Sequence, residues 1–473
     1  MKRKIILMSF VFIMALLLSG AVSATPQANQ IYVSPDGNDA NDGATPETAV
    51  QTINVGIHNV AENGVVSLAA GTYNKYGAGD SKDVNIKISK NLTLQGAGKD
   101  LTIIDALGNS QIFDIDYDLT VVIKDITFKN GKLANSGGAI SSDATLTVQN
   151  CAFINNEAVD DGGGALFTHT TLNVINCVFT GNKADAGGAI FNKMGKLTVK
   201  CSTFTQNQAL SDLEHYSGGG AIFNYYGTYQ ILGNTFINNV NSAIHITSGD
   251  FLKSEINDNN GITANKINFN RFFGNTPYAI YQELNQKETE QSEPEITPEL
   301  VDAQYNWWGS NNPNFANLVS GNIDYTPWIY MKLNPTQVKV NKGDQVPLIA
   351  SFNYLYDGNT VTPLNPALGH IPDGTPVLFT TNLGEVGSKS ITKYTSGGVA
   401  TAILRATESG TALVTAATDS QVISADIVVS ASSSDSSTVN GQTVPMQSTG
   451  IPLVGLILAM LMVTGGLISS KKS

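Results

Sequence analysis

Six phenylalanines, Phe128, Phe153, Phe179, Phe204, Phe236 and Phe272, recur at intervals of 25 or 26 residues and later of 32 and 36. Each brings the same neighbours. Five residues before it stand Ile123, Val148, Val174, Val199, Ile231 and Ile267, and seven before it Val121, Leu146, Leu172, Leu197 and Tyr229. Apolar residues two apart share one face of a strand. A repeat of this length built from strands marks a solenoid, in which each coil buries its apolar side against the next. A glycine phrase returns in the same frame: Gly137-Gly138-Ala139-Ile140, Gly163-Gly164-Ala165-Leu166, Gly187-Gly188-Ala189-Ile190 and Gly219-Gly220-Ala221-Ile222. It then loses its glycines, at Ser242-Ala243-Ile244 and Tyr278-Ala279-Ile280.

Three residues after the phenylalanine comes asparagine in five coils, Asn156, Asn182, Asn207, Asn239 and Asn275, and Gly131 in the remaining one. Glycine and asparagine most readily adopt the left-handed backbone of a sharp bend. The pattern therefore reads as an all-β fold, a right-handed parallel β-helix of the pectate-lyase-like kind over residues 65–330. Unconnected hairpins are the alternative, and the constant frame argues against them. The glycines read as corner devices that let a loop rejoin the wall. Unequal stretches at 205–217, 247–263 and 281–299 read as insertions, the last an acidic loop with Glu283, Glu288, Glu290, Glu293, Glu295 and Glu299. Insertions are where a solenoid carries its binding surface.

Residues 1–24 read as a secretory signal: Lys2, Arg3 and Lys4, an apolar run over 5–18, and Val22-Ser23-Ala24 before cleavage. Residues 25–64 hold a short strand at 31–33 and a helix opened by Thr45-Pro46-Glu47. Val50, Ile53, Ile57 and Val60 share one face of that helix, and Asn63-Gly64 ends it. It is placed to cover the open, strand-pairing end of the solenoid. Trp308 aligns with the phenylalanine position, with Asn311 three after it and Val301 seven before it, so 301–311 reads as a last coil whose paired tryptophans pack as a cap. The period then vanishes. Strand-like runs at 336–340, 346–352, 377–380, 399–405, 411–416 and 422–429 suggest an Ig-like β-sandwich over 331–431. A polar linker follows at 432–448. Residues 449–473 read as a membrane anchor, with an apolar stretch over 451–468 before Lys471 and Lys472.

The chain carries 39 Asp and Glu against 27 Lys and Arg, and its arginines are Arg3, Arg271 and Arg405. Nucleic acid needs clustered cations, so it is not an expected partner. Cys151 and Cys177 both sit two before a phenylalanine and should stack on adjacent coils, within reach of a bridge; buried free thiols acting as apolar fillers are the commoner outcome. Cys201, three before its phenylalanine, falls outside that stack.

Chemistry-bearing residues are sparse. Over 113–122, Asp114, Asp116 and Asp118 alternate with Phe113, Ile115, Tyr117 and Leu119, which sets three carboxylates on the outer face of one strand. Calcium takes such ligands and is the one cofactor suggested. Residues two apart lie about 7 Å apart, so an ion would need help from a neighbouring coil, and a solvated acidic face is the commoner arrangement. β-Helices also include polysaccharide lyases and hydrolases. A lyase would need a cation, and Arg271 is the solenoid's arginine. A hydrolase would need paired carboxylates, and Asp160-Asp161, adjacent on the chain, point apart. His58, His169, His215 and His245 have no recurring acidic partner in sequence. No catalytic residue is expected.

With these residues in place, the chain resembles the adhesin-like surface proteins of methanogenic archaea. The resemblance rests on the GGAI and Phe-x-x-Asn coils, similar to those of chlamydial polymorphic outer membrane proteins, and on Asn306-Trp307-Trp308-Gly309-Ser310-Asn311-Asn312-Pro313. It rests too on phrases of an invasin-type Ig-like domain, Asp373-Gly374-Thr375-Pro376-Val377-Leu378-Phe379-Thr380 and Gly397-Gly398-Val399-Ala400-Thr401-Ala402, and on the anchor. It implies a monomer tethered to its own membrane at the cell surface, in contact with surface glycans or partner cells or serving envelope structure. It supplies no catalytic residue. A single Ig-like unit makes the stalk short.

Overall fold

Phe128, Phe153, Phe179, Phe204, Phe236 and Phe272 face one another on successive parallel strands in the computed structural model, which describes residues 27–77, 79–211, 218–247, 265–283 and 299–431. The residues seven before them are also in register, Val121 with Leu146, Leu172, Leu197 and Tyr229. Among the described residues the solenoid has three long parallel sheets of eleven, eight and nine strands, with a short four-stranded one at a corner. This is the parallel β-helix that the frame dictates. Inside it the phenylalanine rings stack with centroids 4.6–5.1 Å apart, close to the strand spacing of about 4.7–4.9 Å. Trp308 ends the column, stacked on Phe272 at 5.1 Å, in the position expected of it.

The asparagines three after each phenylalanine are not the left-handed residues. That conformation falls one residue earlier, at Asn130, Asn155, Gly181, Gln206, Asn238 and Gly274, with φ between 53° and 67°. Asn156, Asn182 and Asn207 are instead fully buried. Each Nδ2 donates to the Oδ1 of the next coil's asparagine, from Asn156 to Asn182 at 3.0 Å, Asn182 to Asn207 at 2.9 Å, Asn207 to Asn239 at 3.0 Å and Asn239 to Asn275 at 2.9 Å. The same Oδ1 also accepts the previous asparagine's backbone N–H. A carboxamide both donates and accepts, so identical residues can bond rung to rung.

A second ladder stands two before each phenylalanine. The backbone N–H of Cys177, Ser202, Asn234 and Asn270 each donates to the side chain of the next rung at 2.8–3.0 Å, ending on Asn306. Cys151 and Cys177 are the first rungs, buried and free, while Cys201 lies outside and is exposed. The glycine phrases act at the remaining corner. Gly187 has φ +61°, and a Cβ on Gly188 would lie 2.3 Å from the Gly220 carbonyl oxygen of the next coil.

At the amino end the expected helix is divided. Thr45 caps only the short turn Pro46–Thr48, and the α-helix runs over Ile53–Asn59. Val60 already belongs to the strand Val60–Leu68, which passes through Asn63 and Gly64. Val50, Ile53, Ile57 and Val60 are nonetheless all buried, as their spacing requires. The free edge of the first strand, Ala28–Val33, is closed by backbone bonds rather than by the helix. Tyr32 donates to the Gly43 carbonyl and accepts from Val50, and Ser34 donates to the Val50 carbonyl.

Asp39 ties this closure down. Its carboxylate accepts the backbone N–H groups of Gln51 and Thr52, each at 2.8 Å, and the Thr52 hydroxyl at 3.0 Å. Burial opposes its ionisation, but the bonds led by the Thr52 amide outweigh it and hold the carboxyl below the ordinary range. A carboxyl depressed in the folded state stabilises the fold above its unfolded value near 3.9 and loses that contribution as pH falls through the folded one. Protection of the Gln51 and Thr52 amides from hydrogen exchange should therefore drop as pH falls below about 4. In Asp39→Ala it should be low at every pH, reflecting about 1–3 kcal/mol.

From residue 332 onward the described chain builds two sheets around one core, beside a small third sheet of Trp328–Ile329, Tyr354–Tyr356 and Val361–Pro363. One joins Lys332–Pro335, Gln345–Ser351 and Val399–Arg405; the other joins Lys339–Asn341, Gln421–Ser430, Gly410–Thr418, Pro376–Thr381 and Ser390–Tyr394. The strand expected at 336–340 is split because the chain crosses between sheets there. Lys332–Pro335 pairs antiparallel with Gln345–Ser351, and Lys339–Asn341 pairs parallel with Gln421–Ser430.

The signal at 1–24, the linker at 432–448, the anchor at 449–473 and, of the three insertions, residues 212–217, 248–263 and 284–298 lie outside the described residues. Among the described residues no helix is long and apolar enough to cross a membrane.

Candidate functional site

The acidic stretch does not form one strand face. The strand Phe113–Ile115 ends before Asp116, and the next one, Thr120–Lys124, belongs to a different sheet. Between them Asp118 is left-handed, with φ +59°, and Tyr117 is 73% exposed rather than inward. Asp116 pairs with Lys87 at 2.8 Å. The alternation continued through a corner that the apolar pattern did not reveal. Among the described residues no group of three or more His, Cys, Asp or Glu is arranged to hold a metal ion, so the calcium candidate of Asp114, Asp116 and Asp118 is not assembled.

Arg271, the residue a lyase would need, is committed elsewhere. Its Nε donates to Asp419 Oδ2 at 3.0 Å and its Nη2 to Asp419 Oδ1. Trp307 Nε1 donates to the same Oδ2 at 2.7 Å. The Asp419 side chain is 1% exposed. Neighbouring residues on an extended strand point to opposite sides. Trp308 therefore fills the solenoid core while Trp307 enters the core of the second unit. Arg271, Trp307 and Asp419 make a buried lock between the two, not a catalytic group.

The histidines separate by environment. His58 is exposed at the end of its helix, and His215 lies outside the described residues. His169 pairs with Asp143 at 3.0 Å, on the surface. The absence of acidic partners in sequence is thus corrected twice, because sheet register brings acids from the neighbouring coil. The second case is His245, which lies opposite Tyr281, while Thr247 lies opposite Glu283. This leaves Glu283 Oε2 3.6 Å from His245 Nε2. His245 is buried, against Phe223 and Tyr281, and neither ring nitrogen has a hydrogen-bond partner among the described residues. Asp161 accepts the Ser136 hydroxyl at 2.5 Å beside a glycine corner. Asp160 is exposed.

A cleft of about 810 Å³ opens where the solenoid meets the loop around residues 368–373 of the second unit. Phe269 and Tyr305, on adjacent coils, stack at 5.4 Å within it. Gly369 presses on the Phe269 ring, where a Cβ would lie 2.6 Å from it. Lys200, Lys266, Asn268 and Asp302 line the solenoid side, and His370 and Asp373 the other. Sequence reasoning missed all of these as site residues. Phe269 and Tyr305 were legible, since both stand three before the aromatic of their coil. The arrival of the 368–373 loop had no local signal.

The Chlamydia polymorphic membrane protein repeat matches residues 176–193 and 202–225. No curated protein matches the chain. Among solved structures, the pectin methylesterase PemA of Erwinia chrysanthemi is similar at 10% identity over 74% of this chain and 88% of its own, with a TM-score of 0.26. The ORF18 protein of Geobacillus virus E2 is similar at 12% identity over 84% and 76%, with the same score of 0.26. The D0-D1 domain of intimin is similar at 15% identity, with a TM-score of 0.16, over 21% of this chain, which spans 46% of that one. Likeness at this level says nothing about activity. The polymorphic-membrane-protein repeat falls on coils of the glycine frame, taking in Phe179, Asn182, Gly187 and Gly188, then Phe204, Asn207, Gly219 and Gly220.

Proposed function

We propose that this is an exported, non-catalytic surface protein of the adhesin type. In this reading it is held in its own membrane by the 449–473 segment and presents a right-handed β-helix and an Ig-like unit to surface glycans or partner cells. The observation that carries the reading is the polymorphic-membrane-protein repeat on coils 176–225. The commitment of Arg271 to the buried lock with Asp419 supports it, because the solenoid's arginine is not free to serve as the cation of a lyase. The protein acts as a monomer, without nucleic acid, and its relatives are the adhesin-like proteins of methanogenic archaea. The test is attachment of the purified whole protein to a panel of cells and immobilised glycans. Retention on either supports adhesion; no retention on any member removes adhesion and leaves envelope structure.

A second reading, a polysaccharide-degrading enzyme, draws on one feature, the buried His245–Glu283 pair with its unpartnered ring nitrogens. A histidine beside a carboxylate can exchange a proton with a bound group. Turnover of acidic polysaccharides that is lost in His245→Gln would establish it, and no turnover by the native chain would dismiss it.

A further inference from the structure

We propose that the junction cleft is a binding site for a carboxylate-bearing oligosaccharide; this deepens the surface-contact reading and rests on it. The argument starts from which polar groups around the cleft are already satisfied. Asp302 accepts from Asn268 Nδ2 at 2.8 Å and from the Gln304 amide at 3.3 Å. Asp373 accepts the Gly397 amide at 2.8 Å and lies 3.6 Å from His370 Nδ1. The acids of the cleft are thus partly committed. Lys200 and Lys266, by contrast, have neither an ion-pair nor a hydrogen-bond partner for their ammonium groups among the described residues. Lys200 and Lys266 are thus the groups left to meet an anion, although Asp302, in register with Lys266, and Asp373 keep their charge beside them.

A second group says what else the ligand must offer. Asn268 is 3% exposed, and its Oδ1 has no hydrogen-bond partner among the described residues. A buried carbonyl oxygen of this kind calls for a donor, which a sugar hydroxyl supplies and a bare carboxylate does not. The half-buried Tyr305 ring, whose neighbour Phe269 is covered by Gly369, adds an apolar wall suited to the C–H face of a sugar ring. A volume of about 810 Å³ falls within the range of about 300–1,000 Å³ that small-molecule sites occupy. The chain as a whole carries a formal charge of −12, which repels an anion at long range. Screening confines that field to about 8–10 Å at ordinary salt, so the contact inside the cleft is set by its own charges, the two lysines beside Asp302 and Asp373.

The test is calorimetric titration of the whole protein with a glucuronic-acid-containing trisaccharide and with its carboxyl-reduced neutral counterpart. The acidic sugar should bind, and the reduced one at least about tenfold more weakly. Lys200→Gln and Lys266→Gln, together, should weaken the acidic sugar by about tenfold for each lysine removed and leave the neutral one unchanged. Lys200 is exposed and Lys266 half-buried, so unchanged thermal unfolding of each variant accompanies the titration. As an independent readout, the bound acidic sugar should protect Lys200 and Lys266 from acylation measured by mass spectrometry. Equal affinity for the two sugars, or unchanged affinity in the double variant, overturns the proposal. No sugar binding with cell attachment intact overturns the cleft assignment alone. Sugar binding with no attachment to any cell or glycan surface overturns the adhesion reading alone.

Discussion

Arg271→Ala should uncouple the two halves of the protein. The substitution leaves the Asp419 carboxylate buried with Trp307 as its remaining side-chain partner. Removing one member of a buried ion pair costs about 3–5 kcal/mol, because the other charge stays desolvated. The readout is built in, since all three tryptophans, Trp307, Trp308 and Trp328, sit at this junction. Their fluorescence should report an early transition in urea, while far-ultraviolet circular dichroism, which follows every sheet, should show a later one. In the native protein the two should coincide. A double-mutant cycle of Arg271→Met with Asp419→Asn measures the coupling directly. Coupling below about 0.5 kcal/mol would mean that the lock contributes nothing and that the apolar contact of Trp307 holds the junction alone. The same variant bears on catalysis: loss of any activity in Arg271→Ala would come with lost structure, so it cannot by itself mark a catalytic arginine.

Asn182→Ala should be the most damaging change within the solenoid. The lost side chain donates to Asn207 Oδ1 at 2.9 Å and to the Phe153 carbonyl at 3.0 Å. It also accepts from the backbone and side chain of Asn156, each at 3.0 Å. Each polar group stranded in the interior costs about 1–3 kcal/mol. With partial relaxation the total should reach about 4–5 kcal/mol, at the top of the range for single substitutions. Asn182→Asp separates the two halves of the ladder. The aspartate still accepts from Asn156 but cannot donate, and its charge is buried against the Asn207 oxygen. Protonation restores a donor, so this variant should become more stable as pH falls, opposite in sign to the Asp39 closure. Thermal unfolding of the two variants between pH 4 and pH 8 checks both statements, and a loss under about 1 kcal/mol in Asn182→Ala would show that the ladder is ornamental.

The frame around the phenylalanines carried the coil register into the fold without change, down to Trp308 taking the place of the phenylalanine. What the frame did not show was the reason for its own asparagines. A turn propensity explained their presence from sequence, whereas in the structure the turn falls on Asn155 or Gly181, and Asn156 and Asn182 serve as donors between coils. Both roles favour the same residue type, so composition cannot separate them. The acidic stretch at 113–122 failed for a related reason. Asp114, Asp116 and Asp118 alternate as a strand would, but Asp118 takes the left-handed conformation of a corner, and a corner can preserve alternation in the sequence while breaking it in space.

The sequence by itself determined the parallel coils, their aromatic column and the glycine corners, because every one of these depends on contacts repeated at a nearly constant spacing. Only the tertiary structure decided the rest. Arg271 meets Asp419 across 148 residues, and the 368–373 loop closes a cleft over Lys266 and Asn268. Such pairs occur once, so no period announces them. His245 finds Glu283 because two coils of unequal length come into register at Ile244 and Ile280. The candidate groups lie where the repeat is interrupted or where a second unit meets it, and there the geometry is set by packing between distant segments rather than by local pattern.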